Sequence, residues 1–70
     1  MADVFSPLAG TVFAVDCEVG QKVEEGDVIF IVDALKMEHE VEASADGTIK
    51  AINVKKGDKV DTDVVLAVIE

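Results

Sequence analysis

Seventy residues make one small domain, and 15 acids against 6 lysines, with no arginine, leave a formal net charge of −9. A chain this short buries only about 60% of the surface its unfolded form exposes, too little to line a deep catalytic cleft beside a core. The acidic surface, without Trp or Tyr, repels nucleic-acid phosphates and anionic lipids and offers few stacking platforms, so neither nucleic acid nor a membrane is an expected partner.

Thirteen Val and 5 Ile against 3 Leu favour strands over helices and predict an all-β domain. From the N-terminus, Met1-Ala2-Asp3-Val4 lacks the basic and apolar segments of a secretion signal, and the longest apolar runs, Val28 to Val32 and Val64 to Ile69, are far too short to span a bilayer. Cys17 is the only cysteine, so there is no internal disulfide framework and no zinc motif. The expectation is a cytoplasmic protein.

Strands are predicted at Val4-Phe5, Thr11 to Val15, Lys22-Val23 and Val28 to Val32, then around Val41, at Thr48 to Val54, Lys59-Val60 and Val64 to Ile69. Turn residues separate them at Ser6-Pro7, Gly20, Gly26-Asp27, Asp46-Gly47, Gly57-Asp58 and Asp61-Thr62-Asp63. Gly10, Gly20, Gly47 and Gly57 are read as turn glycines with positive φ, and Phe5, Phe13 and Phe30 as core. His39 is expected as an exposed strand residue, since no second histidine could share a metal with it and nothing places it beside Cys17 as a nucleophile's base.

The chain repeats itself. A shift of 37 places Gly10-Thr11 on Gly47-Thr48, Ala14 on Ala51, Gly20 on Gly57, Lys22-Val23 on Lys59-Val60 and Val28 on Val65, with conservative matches between. Two units, about 4–33 and 41–70, are expected to pack face to face about a pseudo-twofold axis as a sandwich or flattened barrel, since neither alone closes a core.

One reversal lacks turn residues. Between Asp33 and Val41 the chain must turn through Ala34-Leu35-Lys36-Met37, with no Gly, Pro, Asn or Asp at the tip. Local propensity also permits a short helix from Ala34 to Glu40 capped by Asp33. The repeat favours a hairpin, because this segment is the link between the units and its symmetry counterpart is the place where the termini meet. Lys36 is then held out at one end of the barrel and the termini lie at the other. A local failure of turn chemistry in an otherwise consistent sequence marks a functional site.

Ala34-Leu35-Lys36-Met37-Glu38, midway in a Gly-punctuated repeat preceded by Ser6-Pro7-Leu8-Ala9-Gly10-Thr11, resembles the biotinyl (biotin carboxyl carrier) domain family over essentially the whole chain. The resemblance implies a flattened antiparallel barrel of two four-stranded sheets, a barrel-sandwich hybrid, with biotin covalently joined to Lys36 and Ala34, Leu35 and Met37 as the flanking motif. Leu35 departs from the family's usual Ala-Met-Lys-Met while keeping an apolar side chain of similar size. The related lipoyl domains carry Asp-Lys-Ala at this tip, and a lipoyl-type carrier or an unmodified adaptor with the same fold are the alternatives. The constant offset leaves no room for the extra loop, the thumb, that many acetyl-CoA carboxylase carriers hold in the first repeat.

The implied function is a non-catalytic carrier subunit or domain of a biotin-dependent carboxylase, decarboxylase or transcarboxylase. It moves a carboxyl group between active sites on a swinging arm. The implied partners are biotin protein ligase and biotin carboxylase, carboxyltransferase or decarboxylase components; no catalytic residue and no metal are expected in the chain itself. Residues 1–40 hold 9 acids and 2 lysines, net −7, against 6 acids and 4 lysines, net −2, in 41–70, so Glu38 and Glu40 sit in the more acidic part, where a basic partner surface would be steered.

Overall fold

A computed structural model describes residues 1–70, all in strands and connections, and no helix is long and apolar enough to cross a membrane. Eight strands follow in order: β1 (Ala2–Phe5), β2 (Gly10–Val15), β3 (Lys22–Val23), β4 (Val28–Ala34), β5 (Met37–Glu42), β6 (Gly47–Ile52), β7 (Lys59–Val60) and β8 (Val65–Ile69). They form two four-stranded sheets, ordered β1-β8-β6-β3 and β5-β4-β2-β7, in which every paired neighbour is antiparallel. The segment after Asp33 is a β-hairpin; the helical alternative is not adopted.

A shift of 37 converts one sheet into the other strand for strand, and the symmetry reaches individual hydrogen bonds. Asp16 N donates to Ile29 O at 2.9 Å as Asn53 N does to Leu66 O at 2.9 Å, and Gly20 N donates to Ile49 O as Gly57 N does to Val12 O, both at 2.8 Å. Register breaks between Val12 and Ala14 recur between Ile49 and Ala51. The units do not stack as separate layers: β1 pairs with β8 and β4 with β5, so each sheet takes strands from both. Neither unit is a sheet by itself, which ties folding of one to folding of the other.

The core fills the space between the sheets with one side of each strand, as period-two alternation requires. Val4, Val12, Ile29, Phe30, Val32, Ile49, Leu66 and Ile69 are almost fully buried. Phe5 and Phe13 are not core, contrary to expectation, and stand 48% and 47% exposed. Each follows a buried valine, so it points to the opposite face, and Phe13 is the residue passed over in the β2–β4 pairing at the register break.

Two glycines act differently from the turn role expected of them. Gly10 begins β2, and a Cβ there would lie 2.5 Å from Asp33 O and 2.9 Å from the Ala34 Cβ. Its twin Gly47 begins β6 and would meet Glu70 O and the Ile69 Cγ2 at 2.7 Å. Both are required by close approach of chains, and of the two only Gly47 also has the positive φ expected of it, 156°. Gly20, Gly26 and Gly57, with φ of 93° to 95°, are the true turn glycines.

The ends of the molecule follow from the connections. Glu25 N donates to the Asp46 carboxylate at 2.8 Å and Ala43 N to Asp27 O at 2.7 Å, which fastens the start of β4 and the end of β5 beside Gly47, where β8 and the chain termini lie. The tip between β4 and β5 is therefore at the far end, about 20 Å away along the seven residues of β4.

Because Gly10 has no room for a methyl group against a backbone carbonyl, Gly10→Ala should cost about 1–3 kcal/mol of unfolding free energy in urea denaturation, with amide shifts concentrated at Asp33 and Ala34. An unchanged midpoint would show that the approach is not tight.

Candidate functional site

The β4–β5 tip presents an exposed lysine on a short loop between paired strands. Ala34 pairs with Met37, Asp33 with Glu38 and Val32 with His39, so only Leu35 and Lys36 lie in the loop. The commonest two-residue loops between right-twisted strands are type I′, with positive φ at both positions and usually Asn-Gly, or type II′, with positive φ at the first. Leu35 has φ 53° and Lys36 φ 64°. For residues with a Cβ this region costs about 1–2 kcal/mol each, a strain that the ladder beneath must hold.

Residue by residue, the expected motif separates into two roles. Ala34 is buried, and the space above Gly10 explains its size: Gly10 and Ala34 fit against each other only because both are small. Leu35 and Met37 are 85% and 63% exposed, two large apolar side chains held in water on either side of Lys36. Lys36 is exposed as well, and the molecule's one ion pair within 4 Å, Lys50 with Glu70, lies elsewhere. A solvated primary amine with no partner is free to react or to be modified.

The electrostatics at the base of the tip are unusual. Asp33 and Glu38 are directly opposed across the ladder, and like charges so placed repel. Lys36 is the nearest cation along the chain, so the hairpin carries −1 with the lysine charged and −2 once that charge is removed. His39, expected as exposed, is half-buried, with its Nε2 enclosed and without a hydrogen-bond partner. It alternates with buried Val41 on the inner side of β5, a placement that single-strand patterning with three flanking glutamates obscures.

No three His, Cys, Asp or Glu side chains converge to hold a metal. Burial pushes the Cys17 thiol above its ordinary value, and neighbouring Asp16 adds to this, the reverse of what a nucleophilic cysteine needs.

Set against known proteins, residues 2–69 match the family described as biotin-requiring enzyme. The chain is 42% identical over 67 residues to pyruvate carboxylase of Bacillus subtilis, covering 96% of the chain and 6% of that protein. It is 42% identical over 67 residues to the biotin carboxyl carrier protein of acetyl-CoA carboxylase of Pseudomonas aeruginosa, covering 86% of the chain and 43% of the relative. The chain thus spans less than half the length of these relatives. Since 96% of 70 residues is 67, the first alignment needs no gap in the relative's favour, whereas 86% is 60 residues and leaves about seven positions of the carrier protein without a counterpart.

Among solved structures, the urea carboxylase of Kluyveromyces lactis superposes with a TM-score of 0.91 at 33% identity, covering 99% of this chain and 6% of that one. The lipoyl domain of the 2-oxoglutarate dehydrogenase complex from Azotobacter vinelandii superposes at 0.82 with 28% identity, covering 100% and 96%.

The strained turn gives a direct expectation. Leu35→Asn, which trades an exposed leucine for a residue that tolerates positive φ, should stabilise the fold by about 1 kcal/mol and raise the thermal midpoint by about 4–8 °C. A lowered midpoint would mean that Leu35 packs against the domain.

Proposed function

The chain belongs to the biotin-requiring enzyme family as a biotinyl-type domain, and from that membership we propose that Lys36 is the residue to which its biotin is joined. The single observation carrying this assignment is the hairpin itself: a lysine at positive φ, unpaired and solvated, on a two-residue loop whose base is locked by Ala34 against Gly10. The amine is exposed between apolar neighbours, and Ala34-Leu35 before the lysine and Met37 after it distinguish it from the Asp-Lys-Ala of lipoyl domains.

In this reading residues 1–70 act as one carrier unit without a reaction of their own. Biotin protein ligase joins the valerate carboxyl of biotin to Lys36 Nζ as an amide, which removes the lysine charge and takes the domain from −9 to −10. Once attached, biotin supplies a ureido nitrogen that accepts a carboxyl group at one active site and yields it at another. The chain's own residues do the positioning. Strands β4 and β5 hold the attachment point at the end of a rigid rod, and tethering turns each transfer into an encounter at high effective concentration. Leu35 and Met37 present apolar contact surface beside the arm, and the acidic barrel resists nonspecific association.

The partners are biotin carboxylase and carboxyltransferase or decarboxylase components, whether on the same polypeptide or separate. The connections 16–21 and 53–58 are equal in length, which leaves no inserted loop between β2 and β3. Together with a pyruvate carboxylase alignment that needs no insertion relative to this chain, this supports a thumbless carrier of the pyruvate carboxylase, propionyl-CoA carboxylase, transcarboxylase or biotin-dependent decarboxylase kind.

Coexpression with a biotin ligase tests the assignment. Streptavidin blotting and peptide mass spectrometry should find one biotin per chain on Lys36, and Lys36→Arg should fold normally and take up none. Labelling that survives Lys36→Arg, a lipoyl adduct, or no adduct on a folded domain would overturn it.

A further inference from the structure

The internal repeat supplies a control that most proteins lack. Twin positions have the same place in the fold, so a chemical difference between them is not demanded by folding. Two such differences meet in one groove of about 500 Å³ between the edge strands β1 and β5. Phe5 lines it together with its own twin, Glu42, and Pro7 together with its twin, Ser44, so the groove straddles the pseudo-twofold axis. One wall is apolar, with half-exposed Phe5 beside Pro7. The other is anionic, with Glu25, Glu40 and Glu42.

None of the three carboxylates has a cation within 4 Å or accepts a hydrogen bond from a side chain or backbone group of the domain. The anionic wall is nevertheless rigid. Gly26 N donates to Ala43 O at 3.1 Å, Ala43 N to Asp27 O at 2.7 Å and Glu25 N to Asp46 Oδ1 at 2.8 Å, so the loop carrying Glu25 is fastened to the end of β5. An aromatic face opposite unpaired carboxylates matches one side chain above others. Arginine stacks its guanidinium plane on a ring, lays its methylenes on apolar surface and donates to carboxylates in a planar fork.

We propose that the β1–β5 groove is a docking site for an arginine side chain presented by a partner protein, with the guanidinium between Phe5 and the carboxylates of Glu25 and Glu42. Glu42 lies five residues along β5 from Met37, about 17 Å from the tip, so a partner held there leaves Lys36 free to move. Lateral anchoring of this kind fixes the carrier beside an active site without occluding the arm. The groove's recognition chemistry does not involve Lys36, so binding there is measurable whether or not that residue carries biotin.

The probe is N-acetyl-arginine methylamide, titrated into the ¹⁵N-labelled domain at low salt, with the neutral isostere N-acetyl-citrulline methylamide as control. Saturable amide shifts are expected at Phe5, Gly26, Glu42 and Ser44 with the arginine compound only. Joint substitution Glu25→Gln and Glu42→Gln should abolish the saturation. Phe5→Leu, which keeps apolar cover while removing the ring, should raise the apparent Kd about two- to fivefold. Shifts that do not saturate, that spread over distant acids such as Glu18 and Asp58, that appear equally with citrulline, or that are unchanged in Phe5→Leu would each overturn the proposal.

Discussion

A two-residue loop joining right-twisted antiparallel strands closes through a type I′ or type II′ turn, and the form adopted here puts both residues at positive φ although they are a leucine and a lysine. Everything at the functional end of the molecule depends on that constraint being enforced. The pairing of Ala34 with Met37 leaves no slack for the loop to relax into, and the seat of Ala34 over Gly10 fixes the height of the strand that enters it. The strain, about 1–2 kcal/mol for each residue, is borne by a ladder of five paired residues below Met37 and by a core in which both sheets depend on both halves of the chain. Sequence choice at the tip is thus set by what must be displayed there rather than by what turns most easily.

The twofold relation separates folding from function within one chain. Gly10 and Gly47, the register breaks beside Val12 and Ile49, and the mirrored bonds of Gly20 and Gly57 serve closure of the barrel, since each recurs at the same place in the other half. The tip has no such counterpart: where a second hairpin would stand, the termini lie and Ala2 pairs with Ile69. Outward positions such as Phe5 against Glu42 and Phe13 against Lys50 differ in chemistry although their surroundings match. A ring over which Lys56 Nζ lies at 6.0 Å replaces a lysine at the second of these. The asymmetric positions are therefore the ones to examine for partner contacts.

Most of the architecture was legible because period-two alternation and the repeat reinforce each other: each predicted strand appears, and an ambiguous segment in one half is resolved by its twin. The hairpin was legible through its lack of turn residues, which a local propensity argument misreads as a helix. Three features were not. Phe5 and Phe13 were misassigned because hydrophobicity alone does not report which side of a strand a residue occupies, and the register break that turns Phe13 outward has no compositional mark. Gly10 carries no sign that its smallness serves a neighbouring chain rather than a turn. His39 lies among three glutamates that read as solvated surface, yet it shares the inner side of β5 with Val41.

On the proposed reading, Lys36 is a substrate for biotin attachment because the sheet imposes its backbone geometry, not merely because a lysine follows Ala-Leu. Inserting one glycine between Lys36 and Met37 keeps the flanking side chains and relieves the two-residue closure. With the fold verified by its amide spectrum, the rate of biotin incorporation by a ligase should fall at least about tenfold relative to the natural hairpin, equivalent to about 1.4 kcal/mol. An unchanged rate on a folded variant would contradict the account.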